Sequence, residues 1–196
     1  SLSSSKFFFF KISLKITKNL AGGDRMNVMI VMLRTLGDVM MSTTLIHELK
    51  QLHPEYEISF YTNKPYGELL KNNPDISEIK ESEHWFDDMI FMEMASGKYE
   101  RIFAPYQTRR ECNMWHQDEL TRHQHLVDFY WKRMGQHTSI EERECYIYPS
   151  EEDFRKTESL ISFDVPRVAL HTTTGVPTKD WPYFSQLTEE LRKAGY

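Results

Sequence analysis

Residues 28–33 read Val-Met-Ile-Val-Met-Leu, an unbroken apolar run, and Arg34-Thr35-Leu36-Gly37-Asp38 follows at once. A strand with one wet face would alternate apolar and polar residues. A continuous run of this length predicts a strand buried on both faces, which is the position of a central strand in a parallel sheet. From about Val39 to Leu52 the apolar residues Met41, Leu45, Leu49 and Leu52 fall at helical spacing and predict a buried stripe. Pro54 closes that helix. The opening unit is therefore strand, short loop, helix.

The pattern continues in kind. Residues 57–61 predict a second strand, a short helix follows near Tyr66 to Lys71, and Asn73-Pro74-Asp75 marks a turn. Ile76 to Ile79 predict a third strand. A helical stretch runs from about His84 to Ala95, with Met89, Met92 and Met94 read as core filling. Tyr99 to Ala104 predict a fourth strand. A helix from about His123 to Met134 turns Leu126, Val127, Tyr130 and Met134 inward, with Gly135 at its end. Cys145-Tyr146-Ile147-Tyr148 alternates like a strand. Ser150 and Asp153 have the spacing of a helix-start capping pair. Arg167 to His171 predict a further strand. A helix opening at Trp181-Pro182 then carries Phe184, Leu187 and Leu191 on one stripe, with Pro182 suited to a first turn. Strands alternating with helices indicate βα units and an α/β, Rossmann-like parallel sheet.

Composition narrows the function. The chain has 196 residues, is 40% hydrophobic, and balances 24 Lys+Arg against 29 Asp+Glu for a net charge of −5. That hydrophobic share can bury a core, and mild acidity argues against a general nucleic-acid binder. Two cysteines, Cys112 and Cys145, cannot build a disulfide framework and fit a reduced, cytoplasmic setting. No run reaches the roughly 20 apolar residues of a membrane span.

Residues 1–25 differ from the rest, being rich in Ser, Lys and Phe with no acid before Asp24. We expect them to be a leader or tail, with Met26 as the start of the ordered protein. The competing reading is a short real strand at Lys11 to Ile16, which alternates well. Residues 26–163 are expected to form one domain. Residues 164–196, where the strand-helix pattern restarts, are expected to be the first βα unit of a second, incomplete domain.

Two segments stand out chemically. The Thr35-Leu36-Gly37-Asp38-Val39 turn sits where strand hands over to helix. In open α/β sheets ligands bind outside the carboxyl ends of the strands. Gly37 would permit a tight turn and close approach of a substrate. Asp38 could point into that cleft as a general base, or could cap the helix by turning its carboxylate onto the N–H groups of residues 40 and 41. The second segment runs from His171-Thr172-Thr173-Thr174-Gly175 to Lys179-Asp180-Trp181-Pro182. It gathers hydroxyls, loop N–H groups and an ammonium before a helix start, a combination suited to a diphosphate. Neither segment is a dinucleotide fingerprint or a Walker loop. Arg109 and Arg110 could meet anionic groups in bidentate fashion. His116, His123, His125 and Asp128 are a poor zinc set, because His123 and His125, two apart on a helix, do not share a face; no metal is expected.

In their order and spacing these segments resemble the ADP-heptose:lipopolysaccharide heptosyltransferases, glycosyltransferase family 9. The resemblance rests on Arg34-Thr35-Leu36-Gly37-Asp38-Val39, His53-Pro54, Tyr66-Gly67-Glu68-Leu69-Leu70 with Asn73-Pro74-Asp75, His125-Leu126-Val127-Asp128, and Val168-Ala169-Leu170-His171-Thr172-Thr173 leading to Lys179-Asp180-Trp181-Pro182. It spans Met26 to Tyr196. It implies the N-terminal half of a two-domain GT-B glycosyltransferase, truncated, with the acceptor held by the first half and the donor by the second. It implies an inverting transfer without metal or cofactor, the ADP-sugar being a co-substrate. On this chain Asp38 would be the general base, Thr173, Thr174 and Lys179 would grip the donor diphosphate, and Thr35, Gly37, Arg109 and Arg110 would face the acceptor. Thr35 stands where the family often has serine, and the Thr-to-Lys spacing is longer than usual, which leaves open which threonine meets phosphate. The partners implied are a nucleotide sugar and a glycolipid or oligosaccharide acceptor, with no nucleic acid. The setting implied is cytoplasmic, at the inner face of a bacterial inner membrane, with peripheral membrane contact. The fragment by itself is expected to be inactive. The alternatives are a noncatalytic nucleotide- or glycan-binding α/β module and a family relative using another nucleotide sugar.

Overall fold

A computed structural model describes residues 25–83, 88–105, 124–161, 167–173 and 180–196. These residues form two compact units, one ending at Tyr148 and the other beginning at Pro149. The calls on residues 1–24, on Arg109, Arg110, His116 and His123, and on Thr174 and Lys179 lie outside them.

The first unit is built on four strands: β1 (Met26–Met32), β2 (Tyr56–Asn63), β3 (Glu78–Ser82) and β4 (Arg101–Phe103), in the order β3-β2-β1-β4. Every pairing is parallel, with Met26 opposite Tyr56, Val28 opposite Arg101 and Ser59 opposite Glu78. β1 is central, and Val28 to Met32 are at most 1% exposed. The apolar run is therefore explained by burial on both faces.

The faces follow the strand period of two. Val28, Ile30, Met32, Ile58 and Phe60 point to one side, where they meet Val39, Leu45, Ile46 and Leu49 of helix α1 (Leu36–Leu52) and Val127, Tyr130 and Trp131 of helix α3 (Leu126–Arg133). Met29, Val31, Leu33 and Tyr61 form a smaller core on the other side with Tyr99. Helix α2 (Asp88–Ala95) contributes the half-buried Met94 there. A short 3₁₀ turn, Tyr66–Leu70, follows β2.

On the side of the smaller core, Glu93 takes hydrogen bonds from Lys80 and from the Tyr99 hydroxyl, the latter at 2.8 Å. Burial alone would lower Lys80, but its bonds to Glu93 and Tyr99 outweigh that and hold the ammonium above the ordinary lysine range. The hydrogen bond from Lys80, joined by that from Tyr99, holds Glu93 below the ordinary glutamate value.

Several expectations are corrected. Helix α1 begins at Leu36, three residues early, and Leu52 in its last turn is 46% exposed. Met92 is exposed rather than core. The third strand is Glu78–Ser82, later than expected. Residues 145–148 form no strand. Their stretch is carried by α1 instead: Thr44 Oγ1 donates to the Glu144 carbonyl at 2.5 Å, the Tyr146 N–H donates to Thr43 Oγ1 at 2.9 Å, and the Tyr146 ring stacks on His47 with centroids 4.1 Å apart. Side-chain hydroxyls replace the ladder partner that a strand would need.

The second unit holds α4 (Glu151–Leu160) and α5 (Phe184–Lys193). Ser150 caps α4 as its sequence predicts, with Ser150 Oγ and N donating to Asp153 Oδ2 at 2.6 and 2.8 Å. Residues 167–170 form no strand, and α5 begins at Phe184, after a turn that contains Pro182. Phe184, Leu187 and Leu191 are half-buried on one stripe, as expected.

Candidate functional site

The carboxyl ends of the parallel strands carry the connections where open α/β sheets place ligands. At the end of central β1 the chain turns through Leu33, Arg34 and Thr35 into α1. Thr35 has extended backbone (φ −75°, ψ 168°) and is the residue that caps the helix. Asp38, three residues later, occupies the third helical position. The sequence alternative in which Asp38 itself caps α1 is thus corrected: the cap position belongs to Thr35.

It reaches back instead. Asp38 Oδ2 accepts from the Thr35 N–H at 3.0 Å and from the Thr35 hydroxyl at 2.7 Å. Oδ1 accepts from the Tyr130 hydroxyl at 2.6 Å. The carboxylate gains from the positive end of the α1 dipole and satisfies a first-turn donor. Asp38 is buried, 9% exposed. A carboxylate held by three donors at the mouth of a parallel sheet is fixed in direction, and it can take a proton from a hydroxyl placed before it.

Tyr130 is the functional neighbour that helical periodicity alone misses, since its spacing only says that it faces inward. A signal was present. A tyrosine among Leu126, Val127 and Met134 must take its hydroxyl into the core, where it needs a partner. Tyr130 is 1% exposed, and its hydroxyl ends on Asp38. The His125-Leu126-Val127-Asp128 segment builds the helix that carries it. His125 Nδ1 accepts from the Val127 N–H at 3.3 Å, and Asp128 takes both arms of Arg143 at 3.0 and 2.9 Å. One polar residue of that segment caps the helix and the other pairs with an arginine.

Gly37 is also corrected in part. It lies in the first turn of α1 and is not among the left-handed glycines of the described residues, Gly97, Gly135 and Gly195. No tight turn requires it. A Cβ built on Gly37 would meet nothing within 4 Å, so the backbone there borders open space. Thr35, Gly37 and Asp38 share one turn of chain beside that space. Thr173 lies in the second unit, where it is exposed.

No protein-family model and no curated protein matches this sequence. Solved structures do. The crystal structure of a family 9 glycosyl transferase from Veillonella parvula is similar over 91% of this chain and 63% of its own, with 17% identity and a TM-score of 0.61. The E. coli ADP-heptose LPS heptosyltransferase II is similar over 87% of this chain and 62% of its own, with 16% identity and a TM-score of 0.63. The iron-containing dodecameric glycosyltransferase TibC from enterotoxigenic E. coli is similar over 90% of this chain and 42% of its own, with 13% identity and a TM-score of 0.52. The α/β fold is thus that of GT-B glycosyltransferases, the one the motifs implied, and the chain spans about 63% of the length of the first of these structures.

Proposed function

We propose that this chain belongs to an inverting glycosyltransferase of family 9, which moves a heptose-like sugar from an ADP-sugar to a lipopolysaccharide-core or related glycan acceptor. The observation that carries the reading is the Asp38 carboxylate, held by Thr35 and Tyr130 at the carboxyl end of the central strand. The shared fold of the solved glycosyltransferases supports it, as do the motifs in their order along the chain.

In this reading an acceptor hydroxyl oxygen attacks the anomeric carbon of the donor while Asp38 takes its proton. The bond from that carbon to the diphosphate oxygen breaks on the opposite face, and the leaving ADP departs with the electron pair. One in-line displacement inverts the anomeric centre. A positioned base of this kind contributes about 10²–10⁴-fold. Thr173, Thr174 and Lys179 would offset the charge that grows on the departing diphosphate. Gly37, Arg109 and Arg110 would meet the acceptor, with Thr35 beside them. Neither a metal nor a bound cofactor takes part in this scheme. No helix among the described residues is long and apolar enough to cross a membrane. Work at the inner face of a bacterial inner membrane, on a lipid-linked acceptor, is part of the proposal.

The test uses the full-length gene product, a panel of ADP- and UDP-sugars, and Asp38→Asn beside wild type. Transfer from an ADP-heptose, with the product inverted and kcat lowered at least about a hundredfold by Asp38→Asn, is the expected result. Equal rates for the two proteins would remove Asp38 as the base.

A further inference from the structure

The reading above names a residue as the base but not the atom that acts. An ionised carboxylate offers about four lone-pair directions, two on each oxygen. Both directions on Asp38 Oδ2 are taken, one by the Thr35 N–H at 3.0 Å and one by the Thr35 hydroxyl at 2.7 Å. Those contacts come from the residue that caps the same helix, so α1 holds them for as long as its first turn is formed. On Oδ1 one direction is taken by the Tyr130 hydroxyl at 2.6 Å. One direction remains without a partner among the described residues, and it belongs to Oδ1.

The two oxygens therefore differ in kind. Oδ2 is tied within its own turn. Oδ1 is tied across the core, by a residue 92 positions away on α3. Tyr130 has little freedom to move its hydroxyl elsewhere. Its ring is 1% exposed and lies beside Trp131, which is equally buried and whose Nε1 donates to the Thr138 carbonyl at 3.1 Å. The Thr35 anchors set where the carboxylate sits, and the Tyr130 bond sets how it is rotated, and so where the last lone pair points.

We infer that Tyr130 is a positioning residue for the transfer: its hydroxyl orients Asp38 so that Oδ1, through its one free lone pair, receives the acceptor's proton. The proton passes from the acceptor hydroxyl to Oδ1 as the oxygen forms its bond to the anomeric carbon. Tyr130 keeps its own proton throughout and touches neither substrate.

This inference rests on the glycosyltransferase reading, and the test separates the two. Tyr130→Phe in the full-length gene product removes one oxygen and keeps the ring that fills the core. A hydrogen bond to a charged group is worth enough that kcat should fall about tenfold to a hundredfold, with KM for donor and acceptor within about twofold of wild type. A residue that served packing alone would leave kcat in place, or would move kcat and KM together through a disturbed fold. If Asp38→Asn abolishes transfer while Tyr130→Phe keeps the wild-type kcat, the inference falls and the base assignment stands. If Asp38→Asn transfers as well as wild type, the base assignment falls and takes this inference with it. A readout free of activity is the proton NMR spectrum. The Tyr130 hydroxyl, buried and bonded to a carboxylate, should give a slowly exchanging downfield resonance that is missing in Tyr130→Phe. Absence of that resonance from the folded wild-type protein would overturn the contact itself.

Discussion

Replacing Asp38 by alanine should unfold the first unit more readily than replacing it by asparagine, and the gap follows from the contacts. Alanine takes the acceptor away from three donors at once: the Thr35 N–H, the Thr35 hydroxyl and the Tyr130 hydroxyl. The Thr35 pair sits at the helix mouth, where water can answer part of the loss. Tyr130 is 1% exposed, so its hydroxyl loses its acceptor inside the core, at a cost of about 1–3 kcal/mol. Removing a negative charge from the first turn of α1 adds about 0.3–1 kcal/mol. We expect Asp38→Ala to be destabilised by about 2–4 kcal/mol. Asparagine keeps the shape. Its carboxamide oxygen can face Thr35 while its amide nitrogen donates to the Tyr130 oxygen, so about 1 kcal/mol is expected, mainly from the lost charge. Urea unfolding followed by fluorescence measures both, with an unchanged slope as the check that only stability has moved. Asp38→Ala within about 0.5 kcal/mol of wild type would refute the reasoning, as would equal losses in the two variants. The asparagine variant is therefore the right control for catalysis, since an alanine variant mixes lost chemistry with lost fold.

Two further outcomes follow from the same contacts. Thr43→Val and Thr44→Val together should free the 142–148 stretch from α1, because both hydroxyls that hold its backbone are gone. Hydrogen exchange at Tyr146 should speed up about tenfold or more, while amides of β1 stay protected; no change at Tyr146 would show that the stretch is held elsewhere. Gly37→Ala places a methyl in open space within a helix, so stability should rise by about 0.5–1 kcal/mol by thermal melting. If acceptor approaches this backbone, KM for acceptor should rise in the same variant; a stabilised protein with wild-type acceptor KM would place the acceptor elsewhere.

Much of the fold was legible because its signals are local. The double-sided burial of β1 is written in Val28 to Leu33, and the parallel sheet follows from strands separated by helices. Ser150 and Asp153 announced the start of α4, since a capping pair needs only its own four residues. The misreadings share one cause. Cys145 to Tyr148 alternate as a strand does, but whether an extended segment pairs with a sheet depends on what lies beside it, and here that is α1. Val168 to Leu170 likewise read as a strand and pair with none. Leu52 and Met92 carry the apolar signal of core residues but are exposed. At the site, Asp38 stands out by its place after β1, but sequence leaves open whether it caps the helix, because Thr35 and Asp38 both have cap chemistry; the backbone gives that position to Thr35.

Sequence alone determined the kind of sheet, the place of its central strand and the turn in which a carboxylate could do chemistry. These depend on periodicity and on residues within a few positions of each other. The tertiary structure decided which way that carboxylate faces. Its partner Tyr130 lies 92 residues away, and only the packing of α3 beside α1 brings the hydroxyl to 2.6 Å from Oδ1. A hydrogen bond across a core is a fact about distance in space, and helical spacing says only that a side chain turns inward, not what it meets there.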